Sequence, residues 1–173
     1  IKLFCKMAEG PFATVARLKS HDDVPQAVMS YLRKKNLPAS IRIGADPALS
    51  DLNWSALRTL EVRTGASDGT DLAGVSHAFA GVAETGTLVM LSGPDNPTTI
   101  NFLPEHHIVV VDADAIRGDL ETALAQVRDK FGKGQMPRTV NLVSGPSRSG
   151  DIEQKLVLDA HGPRALHILV VGQ

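Results

Sequence analysis

The sequence predicts an α/β fold: a mostly parallel sheet flanked by helices, with a helical N-terminal lead-in. Apolar, β-branched runs recur at 86–92, 106–111, 139–143 and 165–171. Between them lie segments whose apolar residues fall three or four apart, such as Val24, Val28, Tyr31 and Leu32. The strands also read as continuous apolar runs rather than alternating ones, as in strands covered on both faces. In such sheets, ligands bind beyond the carboxyl ends of the strands.

Taken in order, 1–19 carries Leu3, Phe4, Met7, Phe12, Val15 and Leu18 at near-helical spacing and predicts a helix interrupted at Gly10-Pro11. His21-Asp22-Asp23 offers an N-cap, Pro25 sits in the first turn, and the second helix ends near Asn36-Leu37-Pro38. Residues 40–44 form a short buried strand, 47–52 a turn-rich connection, 60–63 a strand and 65–69 an exposed loop. A strand at 73–76, a helical turn at 79–84 and a strand at 86–92 follow. Residues 93–97 are a strong turn signal, 98–103 a short helix closed by Leu103-Pro104-Glu105, and 106–111 a central strand. Residues 114–131 place Ile116, Leu120, Leu124 and Val127 on one helical face, before Gly132 and Gly134. A buried strand at 139–143, a small-residue loop at 144–150, a helical turn from Asp151 to Leu156 and a last strand at 165–171 complete the chain.

Composition narrows the function. The chain has 173 residues, 43% hydrophobic and 21% charged, enough for one domain with a real core. Aromatics make up only 4%, so aliphatic residues must fill that core. A net charge of −1 without charge runs argues against nucleic acid as a partner, because phosphate binding needs clustered Lys and Arg. No apolar run approaches the ~20 residues that span a bilayer. No signal-peptide pattern is visible, and the start at Ile1 leads us to expect preceding residues. The one cysteine, Cys5, excludes an internal disulfide and any cysteine metal cluster within these residues, and a free thiol fits a reducing cytoplasm.

Two stretches carry candidate chemistry. In Ala83-Glu84-Thr85-Gly86-Thr87, a carboxylate precedes two hydroxyl residues around a glycine. Backbone N–H groups in such a turn can form an anion-binding nest, and threonine hydroxyls add donors. The plain alternative is a tight connection with Glu84 in water. The second stretch runs through Ser144, Gly145, Ser147, Arg148 and Asp151. It follows a strand and precedes a helical turn, which suits a phosphate or carboxylate, with Arg148 binding bidentately. Here the plain alternative is a loop with Ser149 or Asp151 as N-cap. Gly145 and Gly150 have phosphate-loop spacing, but Asp151 stands where the lysine belongs, so a nucleoside triphosphatase is not indicated. His106 and His107 are adjacent on a strand and point to opposite faces, so they do not chelate one metal there. His161 can meet Glu84 or Asp151 at the sheet edge. No local spacing supports a metal site, a hydrolase elbow or a Rossmann loop.

Four blocks resemble the LUD-domain family. They are Ala83-Glu84-Thr85-Gly86-Thr87; Leu103-Pro104-Glu105-His106-His107-Ile108; Ser144-Gly145-Pro146-Ser147-Arg148 with Asp151-Ile152-Glu153; and His161-Gly162-Pro163-Arg164. They keep their order over 71–171. The resemblance implies one LUD domain over 1–173, with a helical segment at 1–38 and an α/β core at 39–173, folded like the NagB/RpiA/CoA-transferase group. It implies a part in oxidising L-lactate to pyruvate beside iron–sulfur subunits. With only Cys5, this chain departs from those partners and cannot itself hold a four-cysteine cluster. Sugar-phosphate isomerases, CoA transferases and folate cyclo-ligases share the fold and a liking for anionic ligands at strand ends.

Two functions from different classes follow. One is a non-redox accessory subunit that binds a small anion through Thr85, Gly86, Thr87, Ser144, Gly145, Ser147, Arg148, Asp151 and His161. The other is a stand-alone enzyme of CoA-transferase or isomerase type, with Glu84 as nucleophile or general base. A scaffold that only docks partners is a third. The cofactor is not readable from the sequence.

Overall fold

The computed structural model describes residues 1–9, 13–67, 69–92, 97, 99–100, 103–131, 139–144 and 163–172. Six strands, β1 (Thr14–Leu18), β2 (Ser40–Ile43), β3 (Glu61–Thr64), β4 (Ala73–His77), β7 (His106–Asp112) and β10 (Ala165–Val171), form the main sheet. Their order is β1-β10-β7-β4-β2-β3, and every neighbouring pair is parallel. A second sheet holds β5 (Ala80–Val82), β6 (Thr87–Ser92), β8 (Ile116–Arg117) and β9 (Thr139–Val143), in the order β8-β5-β6-β9. There, β6 runs antiparallel to both neighbours. The fold class is the one expected.

Central strand β7 shows why the sheet is parallel and covered on both sides. Ile108 and Val110 pack with helix α2 (Val24–Lys34), through Val24, Val28, Tyr31 and Leu32. Val109 and Val111 pack the other way, against Phe4 and Ala8 of helix α1 (Lys2–Glu9) and Leu88 and Met90 of β6. Each such side chain, fully buried, is worth about 1.5–3 kcal/mol. Behind the second sheet, Val82 and Val89 meet Ala123 and Val127 of the helix Leu120–Phe131, here α4, which follows the short α3 (Pro47–Ser50).

Strands β4 and β7 pass into the second sheet in parallel ways. The Ala78 N–H still bonds to the Val110 carbonyl of the main sheet (2.8 Å), whereas the Phe79 N–H already bonds to Val89 of the second (2.9 Å). After β7, a 3₁₀ turn at Ala113–Ala115 leads to β8, which pairs parallel with β5.

Several local expectations are corrected. Residues 14–18 are strand, not helix: their backbone is taken up by the parallel ladder to β10, which helical spacing of side chains cannot reveal. Residues 79–84 hold β5 rather than a helical turn, and Phe4 packs where a side chain on Gly81 would stand. The helix expected at 114–131 begins only at Leu120, with the Asp119 carboxylate accepting the Thr122 N–H at 2.7 Å. Strand β9 is not buried as expected, since Leu142 is 49% exposed. Within 65–69, Ser67 is buried and its hydroxyl donates to Asp71 at 2.9 Å. His21, Asp22 and Asp23 form a 3₁₀ turn capped by the Ser20 hydroxyl, and Asp23 makes no side-chain cap of α2. The helical turn from Asp151 lies outside the described residues, as do Gly132 and Gly134. Among the described residues, no helix is long and apolar enough to cross a membrane.

Candidate functional site

The hydroxyl-rich turn forms between β5 and β6. Gly86 has φ +68, and a Cβ there would lie 2.3 Å from the Ala8 nitrogen, so only glycine lets the turn seat against α1. The geometry turns both threonines to one side. Thr85 Oγ1 and Thr87 Oγ1 share a hydrogen bond of 2.8 Å, and Thr87 Oγ1 shares another of 2.6 Å with Ser144 Oγ. The chain of three hydroxyls thus joins two stretches that the sequence singled out separately. Ser144 follows β9, whose Val143 is in register with Leu88. Glu84 is exposed on the turn, its N–H bonded to the Gly118 carbonyl at 3.2 Å. Gly145, Ser147, Arg148, Asp151 and His161 lie outside the described residues.

A second group gathers at the carboxyl edge of the main sheet. His77 ends β4, Asp112 ends β7, Asp46 follows β2 and His21 follows β1. The chain steps outward from β2 to β3 and returns past β2 to β4, so the β2/β4 edge is a reversal of strand order, where ligands of such sheets bind. His21 Nε2–H donates to Asp112 Oδ1 at 2.5 Å, and His77 Nε2–H to Asp112 Oδ2 at 3.1 Å. His77 Nδ1 lies 3.8 Å from Asp46 Oδ2. Burial alone would lower the His77 pKa, but the hydrogen bonds and charges of Asp112 and Asp46 outweigh it and push it up to about 9. Asp112 is held below the usual carboxylate range by its bond to His77, against the opposing effect of burial, with His21 adding to the lowering. An open cleft of about 420 Å³, lined by Lys19, Ser20, His21, Asp112, Asp114 and Gly172 among others, reaches this group.

Sequence reasoning missed these four residues as a site. Each stands at the carboxyl end of a strand or within three residues of it, and applying the strand-end rule strand by strand marks them. Their separation, 91 residues from His21 to Asp112 and 35 from His77, leaves no local spacing to notice.

His106 and His107 do face opposite ways. His106 Nδ1 shares a 2.8 Å hydrogen bond with the Tyr31 hydroxyl, and fully buried His107 shares one of 2.9 Å with Ser76 Oγ. Tyr31 also stacks on His167, with ring centroids 4.6 Å apart, and burial raises its phenol to about 12.

A parallel sheet covered on both faces, with polar side chains collected where its strand order reverses, defines an α/β protein of the doubly wound kind. The chain belongs to the LUD domain family, whose model matches residues 1–171. It is similar to an uncharacterized protein of Neisseria meningitidis, 38% identical over 99 residues, covering 57% of this chain and 42% of that one. Proteins named lactate utilization protein C are similar too. The one from Geobacillus sp. is 34% identical over 102 residues, 58% of this chain and 42% of its own. That of Geobacillus thermodenitrificans is 36% identical over 110 residues, 61% of this chain and 46% of its own. The matched region therefore spans less than half the length of these relatives. A solved DUF162-family protein from Deinococcus radiodurans superposes with a TM-score of 0.74 over 99% of this chain and 95% of that one, at 20% identity, and so shares the fold.

Proposed function

We propose that this chain is a non-redox component of an L-lactate utilization system, converting lactate to pyruvate, and that it holds a small anionic or phosphorylated ligand at the turn between β5 and β6. The hydroxyl chain Thr85–Thr87–Ser144 carries this reading, because it unites the two anion-suited stretches at one point. The names of similar proteins supply the pathway. Thr85, Gly86, Thr87 and Ser144 contribute donors, and Gly145, Ser147, Arg148, Asp151 and His161 complete the site on the sequence reading. Since these residues contain only Cys5, the electrons run through iron–sulfur partners, and a free thiol accords with a cytoplasmic system.

A thermal-shift panel of L-lactate, pyruvate, coenzyme A and sugar phosphates tests the ligand. A compound at ~100 times its dissociation constant stabilises by roughly 2.7 kcal/mol. The expected result is a shift by at least one anion, lost in Arg148→Ala and reduced in Thr87→Val. No shift from any of them overturns the ligand assignment. If Glu84→Gln abolishes turnover of a shifting compound while the shift survives, Glu84 is a catalytic residue and the enzyme reading replaces the accessory one.

A further inference from the structure

The group at the carboxyl edge of the main sheet is separate from the hydroxyl turn and has no part in the function proposed above. We propose that His21, His77 and Asp112 form a binding site for one divalent transition-metal cation of the zinc type.

Four features support the assignment. The first is convergence: one ligand atom from each residue lies within 4.8 Å of the other two. The second is the donor set. Two imidazole nitrogens and one carboxylate suit zinc, cobalt or ferrous iron, whereas calcium and magnesium take oxygen. Metal–ligand bonds of about 2.0–2.2 Å place tetrahedral donors roughly 3.3 Å apart. The present His77–Asp112 separation is 3.1 Å and the His21–Asp112 separation 2.5 Å. An opening of under about one ångström at His21 therefore admits the ion. That residue can supply it, because its side chain is 45% exposed on a short 3₁₀ turn.

The third feature is the outer support. Asp46 Oδ1 accepts the Ala48 N–H at 2.9 Å, which fixes the carboxylate, and its Oδ2 faces His77 Nδ1 at 3.8 Å. A carboxylate behind the far nitrogen keeps the proton on Nδ1 and leaves the Nε2 lone pair for a metal, as in carboxylate–histidine–metal arrangements. On binding, the Nε2 protons that now bridge to Asp112 leave to solvent, and Asp112 changes from hydrogen-bond acceptor to ligand. The fourth is access. The cleft of about 420 Å³ opens on His21 and Asp112, so a fourth position faces solvent, the pattern of sites that exchange a water or bind an oxyanion. The two rigid ligands sit on adjacent strands, with His77 in register with Val110, two residues before Asp112.

The test uses untagged protein stripped with chelator. Co²⁺ is added and visible absorption followed; Zn²⁺ retention after dialysis is measured by elemental analysis. We expect one ion per chain with micromolar or tighter affinity. His21→Ala, at the half-exposed position, should weaken binding at least tenfold, and Asp112→Asn should abolish it. Asp46→Asn, which retains the cap to Ala48, should weaken it about 10–100-fold. His167→Gln, away from the group, should leave it unchanged. Should Asp112→Asn fail to fold by circular dichroism, His21→Ala and Asp46→Asn decide. The proposal is overturned if the protein binds neither ion below about 1 mM, or if His21→Ala and Asp46→Asn bind as the parent does. Because the readout is the metal itself, failure here leaves the anion reading untouched, and the reverse.

Discussion

At the carboxyl end of the parallel sheet, His77 lies between two carboxylates, Asp112 and Asp46. Toward the amino end, His106 and His167 lie against Tyr31, with Lys35 near both and Lys34 near His167. Burial pushes every one of these imidazoles toward the neutral form. Only at the carboxyl end do acidic partners reverse it, to about 9 for His77. His106 stays lowered, by burial first, with Glu105 opposing and Lys35 reinforcing. His167 falls to about 4 through burial and the two lysines, and His107, enclosed with Ser76, falls to about 4 through burial alone. Residue type is thus a poor guide to charge; the neighbours at each end of the strands decide it.

The largest effect expected from this contrast is on acid stability. A histidine with a folded pKa near 4 and an unfolded value near 6.5 binds its proton only when unfolded across that window. Stability is therefore full above pH ~6.5 and declines as pH falls toward ~4, by on the order of 3 kcal/mol for His107 alone. Urea denaturation between pH 7.5 and 4 measures it. His107→Gln, which keeps a polar group for Ser76, should flatten the curve; an equally steep curve in that variant breaks the contrast at the amino end. At the opposite end, Asp112→Asn in chelator-treated protein removes the negative charge and one of the two carboxylate oxygens that accept from His21 and His77. A loss of about 1.5–3 kcal/mol at pH 7.5 is expected, in the range for hydrogen bonds to a charged group. A loss under about 0.5 kcal/mol would show that the pairing does not hold that edge together. The smallest effect is Tyr31→Phe, which removes the hydroxyl from His106 and keeps the ring on His167. About 1 kcal/mol should be lost, and more than that would mean the phenol does more than share one hydrogen bond.

Legibility in the sequence followed where each element gets its stability. Strands such as β7 and β10 announce themselves because both faces are apolar, and α2 because its buried stripe repeats every turn. Strands β1, β5 and β8 do not, because they are short and owe their conformation to partners far along the chain: Thr14 pairs with His167. The second sheet as a separate layer was hidden for this reason, although its strands β6 and β9 were expected at 86–92 and 139–143. Local composition singled out Thr85, Gly86, Thr87 and Ser144 as candidates, and the structure joins the hydroxyls of Thr85, Thr87 and Ser144. His21, His77 and Asp112 were not, since nothing local marks side chains that meet only after the sheet is assembled.

The passage of β4 into β5 and of β7 into β8 has a mechanical meaning. The parallel pair β4–β7 in one sheet reappears as the parallel pair β5–β8 in the other, so the two sheets share one ribbon folded along a crease. On β4 the crease falls between Ala78, still tied to Val110, and Phe79, already tied to Val89. His77 ends β4 and Asp112 ends β7 on the main-sheet side of the crease. Their 3.1 Å hydrogen bond ties the ends of the two strands together beside the fold line, where the backbone passes from one ladder to the other.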